Sequence, residues 1–162
     1  MPTTNEFFEN AAIVERIVSG GQTGVDQGAL LAAIDLQIEH GGWCPKGRIC
    51  EDGQISLRFQ LKECHSSKYS IRTEQNVIDS DGTLILYRNR LSAGSALTRR
   101  MAIKQRRPLE MVDFSIGYDF AQVRNWLIAN EVKSLYIAGP RECSEPGICQ
   151  QVHGFLHELL AP

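Results

Sequence analysis

Ile17 and Val18 form a short apolar run that ends in Ser19-Gly20-Gly21-Gln22-Thr23-Gly24. Val25, Ala29, Ala33 and Leu36 then recur at helical spacing, so the segment reads as strand, tight loop, helix. The alternation continues down the chain. Thr83-Leu84-Ile85-Leu86-Tyr87 is almost continuously apolar, the pattern of a strand covered on both faces of a parallel sheet. Ser92-Ala93-Gly94-Ser95 leads into a helix carrying Leu97, Met101 and Ala102, closed by Pro108. Leu109-Glu110-Met111-Val112 predicts the next strand. Asp119 reads as an N-cap with Gln122 as its capping-box partner, opening a helix that buries Phe120, Val123, Leu127 and Ile128. Ser134-Leu135-Tyr136-Ile137-Ala138 predicts the last strand, ended by Gly139-Pro140. Ser144 reads as the cap of a final helix, with Pro146 in its first turn and Ile148, Val152, Phe155 and Leu159 as the inner stripe.

Strands alternating with helices predict an α/β fold with a mainly parallel sheet covered on both faces. Residues 41–69 break the rhythm and read as an excursion from the sheet that contains a short hairpin. Arg72 to Ile78 predicts a helical turn or two before the second strand. Residues 1–14 are expected to make a short leading segment in which Phe7, Phe8, Ile13 and Val14 pack. The length of 162 residues, without a linker or repeat, predicts one domain over 1–162.

Composition narrows the function classes. A hydrophobic fraction of 43% supports a real core, and 17 basic against 19 acidic residues give a net charge of −2. That balance argues against a surface built to grip nucleic acid. No apolar run approaches the ~20 residues needed to cross a bilayer, and the acidic start lacks a signal-peptide core, so a cytoplasmic location is expected. The five cysteines are odd in number and lack C-x-x-C spacing, which predicts reduced thiols. His153 and His157 share a helical face but read as a solvated surface, so no stand-alone structural metal is expected.

Ligands of open α/β sheets bind beyond the carboxyl ends of the strands. Three loops leave such ends here: Gly20 to Gly24, Ala93 to Thr98, and Gly139 to Glu142. Each runs toward a helix N-terminus, where free N–H groups and the helix dipole favour an anion. Thr23, Ser95 and Thr98 add hydroxyls. Gly20, Gly21, Gln22, Thr23 and Gly24 form the first candidate wall, Gly94, Ser95 and Thr98 the second, and Gly139, Arg141 and Glu142 the third. Asp26, in the first turn of its helix, either pairs with the dipole or binds a ligand hydroxyl or amine. Lys46 and Arg48 are candidates to close over an anion, with arginine the better bidentate partner. Arg72, Thr73 and Asn76 bring a cation, a hydroxyl and an amide to a helix start, and Glu74 is a candidate general base. The first loop has no Gly-Lys-Ser/Thr and no G-x-G-x-x-G, which argues against a Walker-type NTPase and a nicotinamide site.

Together, Ser19–Leu30, Gly41–Arg48, Arg72–Val77, Ser80–Leu84 and Ala138–Glu142 resemble the molybdenum cofactor carrier proteins, over about residues 15–160. These are a circularly permuted branch of Rossmann-like proteins related to lysine-decarboxylase-like phosphoribohydrolases. The resemblance implies a Rossmann-like three-layer α/β/α sandwich and a homodimer or homotetramer. It implies binding of molybdenum cofactor (molybdopterin), a pterin with a phosphate and a molybdenum–oxo centre, and with it a molybdoenzyme or cofactor-synthesis partner. The family's third motif reads Gly-Gly-Thr where this chain has Ala93-Gly94-Ser95, which keeps the hydroxyl. The Pro-Gly-Gly-x-Gly-Thr-x-x-Glu motif of the phosphoribohydrolases is missing, so no catalytic residue is carried over. Two functions follow. One is a module that carries or protects molybdenum cofactor, or a related phosphorylated pterin or nucleotide. The other is a nucleotide or nucleoside-monophosphate hydrolase using Glu74 or Asp26, with a nucleotide-sensing module as a variant.

Overall fold

The structure is a computed structural model that describes residues 12–161; Phe7 and Phe8 lie outside them. Its centre is a five-stranded parallel sheet built from β1 (Arg16–Val18), β2 (Glu39–Gly41), β7 (Gly82–Tyr87), β8 (Leu109–Asp113) and β9 (Ser134–Ala138). The order across the sheet is β2-β1-β9-β7-β8, with every neighbour parallel. β9 therefore lies between β1 and β7, with Tyr136 opposite Val18 on one side and Thr83 on the other. α1 (Val25–Asp35), α4 (Phe120–Ala129) and α5 (Ile148–Leu160) share one core with one face of the sheet. α2 (Tyr69–Ile78) and α3 (Ala93–Lys104) cover the other, through Val77, Met101 and Ala102. This is the parallel α/β fold the alternation predicts and the Rossmann-like arrangement the resemblance implies. No helix of the described residues is long and apolar enough to cross a membrane.

The apolar spacing explains the packing. Val25, Ala29 and Ala33 of α1 are fully buried, and their small size lets α5 lie close. Ile148, Val152, Phe155 and Leu159 form the facing stripe, as their spacing predicts. Each large side chain contributes about 1.5–3 kcal/mol of burial free energy. Val14 is buried and Ile13 packs beside it on the same core.

Several local expectations are corrected. β2 carries no apolar run, because it is a three-residue edge strand of Glu39-His40-Gly41. α4 buries Val123 and Leu127 and leans Trp126 on the core, but Ile128 is 62% exposed. Asp119 does cap α4, accepting from the Ala121 amide at 2.9 Å, while Gln122 makes no reciprocal bond among the described residues. α5 starts at Ile148 behind a left-handed Gly147, so neither Ser144 nor Pro146 belongs to its start. Its free amides are instead met by the Glu142 carboxylate, at 2.6 Å from Gly147 N and 3.1 Å from Cys149 N.

Residues between β2 and α2 fold into two small two-stranded pieces. β3 (Trp43–Cys44) runs parallel to β6 (Lys62–Glu63), and β4 (Ile49–Cys50) makes the expected hairpin with β5 (Gly53–Gln54). Cys44, Cys50, Ile55 and Phe59 form a separate apolar cluster against Leu30 of α1.

Candidate functional site

The carboxyl ends of β1, β9 and β7 lie side by side, and a cleft of about 380 Å³ opens above them. Gln22 lines it from the first loop, Asp26 from the first turn of α1, and Gly139, Pro140 and Arg141 from the loop after β9. Ser92, Ala93, Gly94, Leu97 and Thr98 line it from the start of α3, and Tyr69, Arg72 and Thr73 from α2. The three loops marked in the sequence thus share one cavity. The Cβ a residue at position 94 would carry meets nothing within 4 Å, so the α3 N-terminus stands open to the cavity. Gly94 and Ser95 belong to α3 itself rather than to a preceding loop. Ser92 caps the helix by accepting from the Ser95 amide at 3.2 Å, and the Ser95 hydroxyl pairs with Ser92 at 3.0 Å.

The glycine loop behaves differently from an open phosphate cradle, because its amides are engaged internally. Gly21 N donates to the Ser19 hydroxyl at 3.2 Å, Gln22 N to the Asp26 carboxylate at 3.1 Å, and Thr23 N to the Gln22 side-chain oxygen at 3.1 Å. Asp26 thus does what an anion would do at the head of α1. Gly24, at φ +82°, lies against the backbone of Pro140 and Glu142, so the first and third loops touch main chain to main chain. Gly20 leaves room for the Arg72 guanidinium, which any Cβ there would strike.

Positive charge is supplied by two arginines that share one aromatic ring. The Arg72 and Arg141 guanidinium carbons lie 5.5 and 5.1 Å from the centre of Tyr69. Arg72 is 9% exposed; it lies 3.6 Å from Asp26 and donates to the Tyr136 hydroxyl at 3.4 Å. Burial pushes the Asp26 carboxyl up to about 6, against the pull of Arg72, the Gln22 amide and Arg141. The Tyr136 hydroxyl, held by Thr73 and Thr98, is also pushed upward by burial, so it stays a neutral donor and acceptor.

Other marked residues lie elsewhere. Arg48 donates to the carbonyls of Ile55, Leu61, Ser56 and Phe59 at 2.8–3.4 Å, which makes it the pin of the excursion. Lys46 is exposed on the same segment, and its amide bonds Ser66. Asn76 holds both backbone groups of Trp43, at 2.7 and 2.9 Å. Glu142 caps α5 rather than facing the cleft. Glu74 pairs with Lys104 at 3.3 Å and Gln105 at 3.1 Å, outside the cavity lining.

Sequence reading overlooked Tyr69, Tyr136, Glu51 and Cys143. Tyr69 lies one turn before the marked Arg72, and Tyr136 reads as an ordinary strand residue. Glu51 sits at the hairpin tip, accepts from the Thr23 hydroxyl, and receives the Cys143 thiol at 2.7 Å. Those bonds hold its carboxyl below the usual range, Cys143 contributing most and Thr23 next. Nothing in an Asp/Glu turn distinguishes such a residue from a solvated one.

The described geometry has relatives. The circularly permutated YpsA SLOG family matches the chain over residues 17–160. A crystal structure of a "Putative molybdenum carrier protein" from Syntrophus aciditrophicus is similar, with 40% identity and a TM-score of 0.90. That likeness covers 93% of this chain and 97% of the other. No curated protein matches.

Proposed function

The chain belongs to the circularly permutated YpsA SLOG family, and from that premise we propose that it carries or protects molybdenum cofactor or a related phosphorylated pterin or nucleotide. The observation that carries this reading is the convergence of Arg72 and Arg141 on Tyr69 beside the open start of α3. Two guanidiniums and free helix amides suit a phosphate better than any neutral group. With Asp26 ionised, the three charged groups leave a net positive cleft. Leu97, Ala138 and Pro140 add apolar surface for a flat heterocycle. The volume of about 380 Å³ lies within the usual range of small-ligand sites. The kinship with a carrier-named protein favours the pterin cargo; nucleotide binding is the broader expectation for the same chemistry. A molybdoenzyme or a cofactor-synthesis protein would be the donor or acceptor.

Purified protein should retain molybdenum cofactor through gel filtration and slow its oxidation by air. Release within the dead time, with no protection, would overturn the reading. A hydrolase remains the second reading because Asp26 holds a proton affinity near neutrality inside the same cleft, as an acid/base group requires. Release of free base from any member of a nucleoside-monophosphate panel supports it, and absence of turnover removes it.

A further inference from the structure

The far end of α1 and the outer face of α5 bring together three ligating side chains away from the cleft. His153 and His157 are successive-turn neighbours on α5, with ring centres 4.5 Å apart. Asp35, the last residue of α1, reaches both: its Oδ2 lies 2.6 Å from His153 Nε2 and 3.6 Å from His157 Nε2. All three donor atoms lie within 4.8 Å of one another, and no other such group occurs among the described residues.

An ordinary ion pair explains only half of this arrangement. The His153–Asp35 contact is a good hydrogen bond, whereas 3.6 Å is beyond hydrogen-bond reach. His157 Nε2 is buried and has no hydrogen-bond partner, although it lies 3.6 Å from the same carboxylate oxygen. Buried polar atoms normally find partners. In its neutral form such a nitrogen can serve as a metal ligand.

We propose that Asp35, His153 and His157 bind a divalent late-transition-metal ion of the zinc class, which staples α1 to α5. Two imidazole nitrogens and one carboxylate oxygen are the borderline donors that zinc takes, whereas calcium and magnesium prefer all-oxygen shells. Tetrahedral zinc with bonds of about 2.0–2.2 Å places its donors roughly 3.4 Å apart. The His157–Asp35 spacing already meets that value. The His153–Asp35 bond must open by less than about 1 Å on the same geometry, the two imidazole donors lie no more than 4.8 Å apart and need only close toward that spacing, and all three side chains are partly exposed. Solvent supplies the fourth ligand. The donors come from helices 118 residues apart, so only the folded chain assembles them and metal binding stabilises the fold by linkage. The i, i+4 histidines are visible in the sequence; the carboxylate that completes them is not.

The test uses the full chain, stripped with chelator and free of any affinity tag. Calorimetry with Zn²⁺ should show one ion per chain at micromolar Kd, and Co²⁺ should give the intense visible bands of a tetrahedral site. Zn²⁺ should also raise Tm. His157→Ala and Asp35→Asn should each weaken Zn²⁺ by at least about tenfold, with circular dichroism unchanged. His65→Ala, on the excursion, should leave it unaltered. His153→Gln is the independent second ligand variant. Binding that ignores all three ligand substitutions, or that fails below millimolar Zn²⁺ in the wild type, overturns the proposal.

Discussion

Arg72 and Asp26 lie 3.6 Å apart in the lining of the cleft, with both side chains almost closed to solvent. The pair joins α2 on one face of the sheet to α1 on the other across the end of β1. Arg72 Nε has no partner of its own, and Asp26 spends one oxygen on the Gln22 amide. The same carboxylate oxygen faces the Arg72 guanidinium, whose other partners are the Tyr136 hydroxyl and the Tyr69 ring.

Arg72→Met should cost about 3–5 kcal/mol, because it leaves a buried carboxylate unpaired. The double variant Asp26→Asn/Arg72→Met should cost less than the sum of the single changes. Urea unfolding of the four proteins measures this coupling. Additive losses would mean that the pair does not interact.

Asp26 sets a pH dependence with a definite sign. Its folded value of about 6 lies above the ordinary 3.8, so the folded state binds the proton more tightly than the unfolded chain. The resulting contribution is fully present below about pH 4 and is lost as pH rises through about 6, a change on the order of 3 kcal/mol. Asp35, Glu51 and Asp113 are shifted downward and act in the opposite direction. The informative quantity is thus the difference between wild type and Asp26→Asn in urea unfolding from pH 4 to 7. That difference should change steadily across the interval; a flat difference rejects the assignment.

Arg141 stands at the mouth of the cleft over Tyr69. Arg141→Ala should weaken a phosphorylated ligand by roughly 10- to 100-fold, the loss of a charge-assisted hydrogen bond. Stability should stay within about 0.5 kcal/mol of wild type. Titration calorimetry with a phosphorylated pterin or a nucleoside monophosphate, beside a thermal melt, separates the two effects.

Glu142→Ala should lower stability by about 1–2 kcal/mol, since the carboxylate serves two amides at the start of α5. Ser144→Ala should change it by no more than about 0.5 kcal/mol. Equal losses in the two thermal melts would return the cap to Ser144.

Arg48→Lys should loosen the excursion alone. A lysine cannot span the four carbonyls that the guanidinium serves. Hydrogen exchange should rise for residues 48–61 and stay unchanged in β7 and β9. Faster exchange in those strands would show that the excursion supports the sheet.

The fold was legible wherever apolar spacing was strong. Val25, Ala29 and Ala33, the run from Leu84 to Leu86, and the stripe through Ile148 and Leu159 each announce their element and its buried face. The edge strand Glu39–Gly41 carried no such signal, because one row of backbone bonds to β1 is enough to hold it. Gly147 as the start of α5 was masked by Ser144 and Pro146, which imitate a helix start three residues early. Within the cleft, Arg72, Arg141 and Gly94 were marked by residue type in motif context. Arg48 and Asn76 were marked on the same grounds, yet their polar groups serve the backbone. Residue type tells which bonds a side chain can make, and tertiary position tells where those bonds go. The engagement of Gly21, Gln22 and Thr23 by Ser19 and Asp26 depends on loop geometry that a glycine pattern leaves open.

The placement of β9 has a consequence for how the sheet is completed. In chain order, β1, β2, β7 and β8 all precede β9, and without β9 they make only two strand pairs, β1 with β2 and β7 with β8. Only β9, which follows α4, joins both pairs. The same strand brings Tyr136 under Arg72 and delivers Gly139–Arg141 to the cleft. A chain ending before residue 134 therefore lacks both the strand that joins the two pairs and part of the cleft lining, so sheet and cleft are completed in the same step.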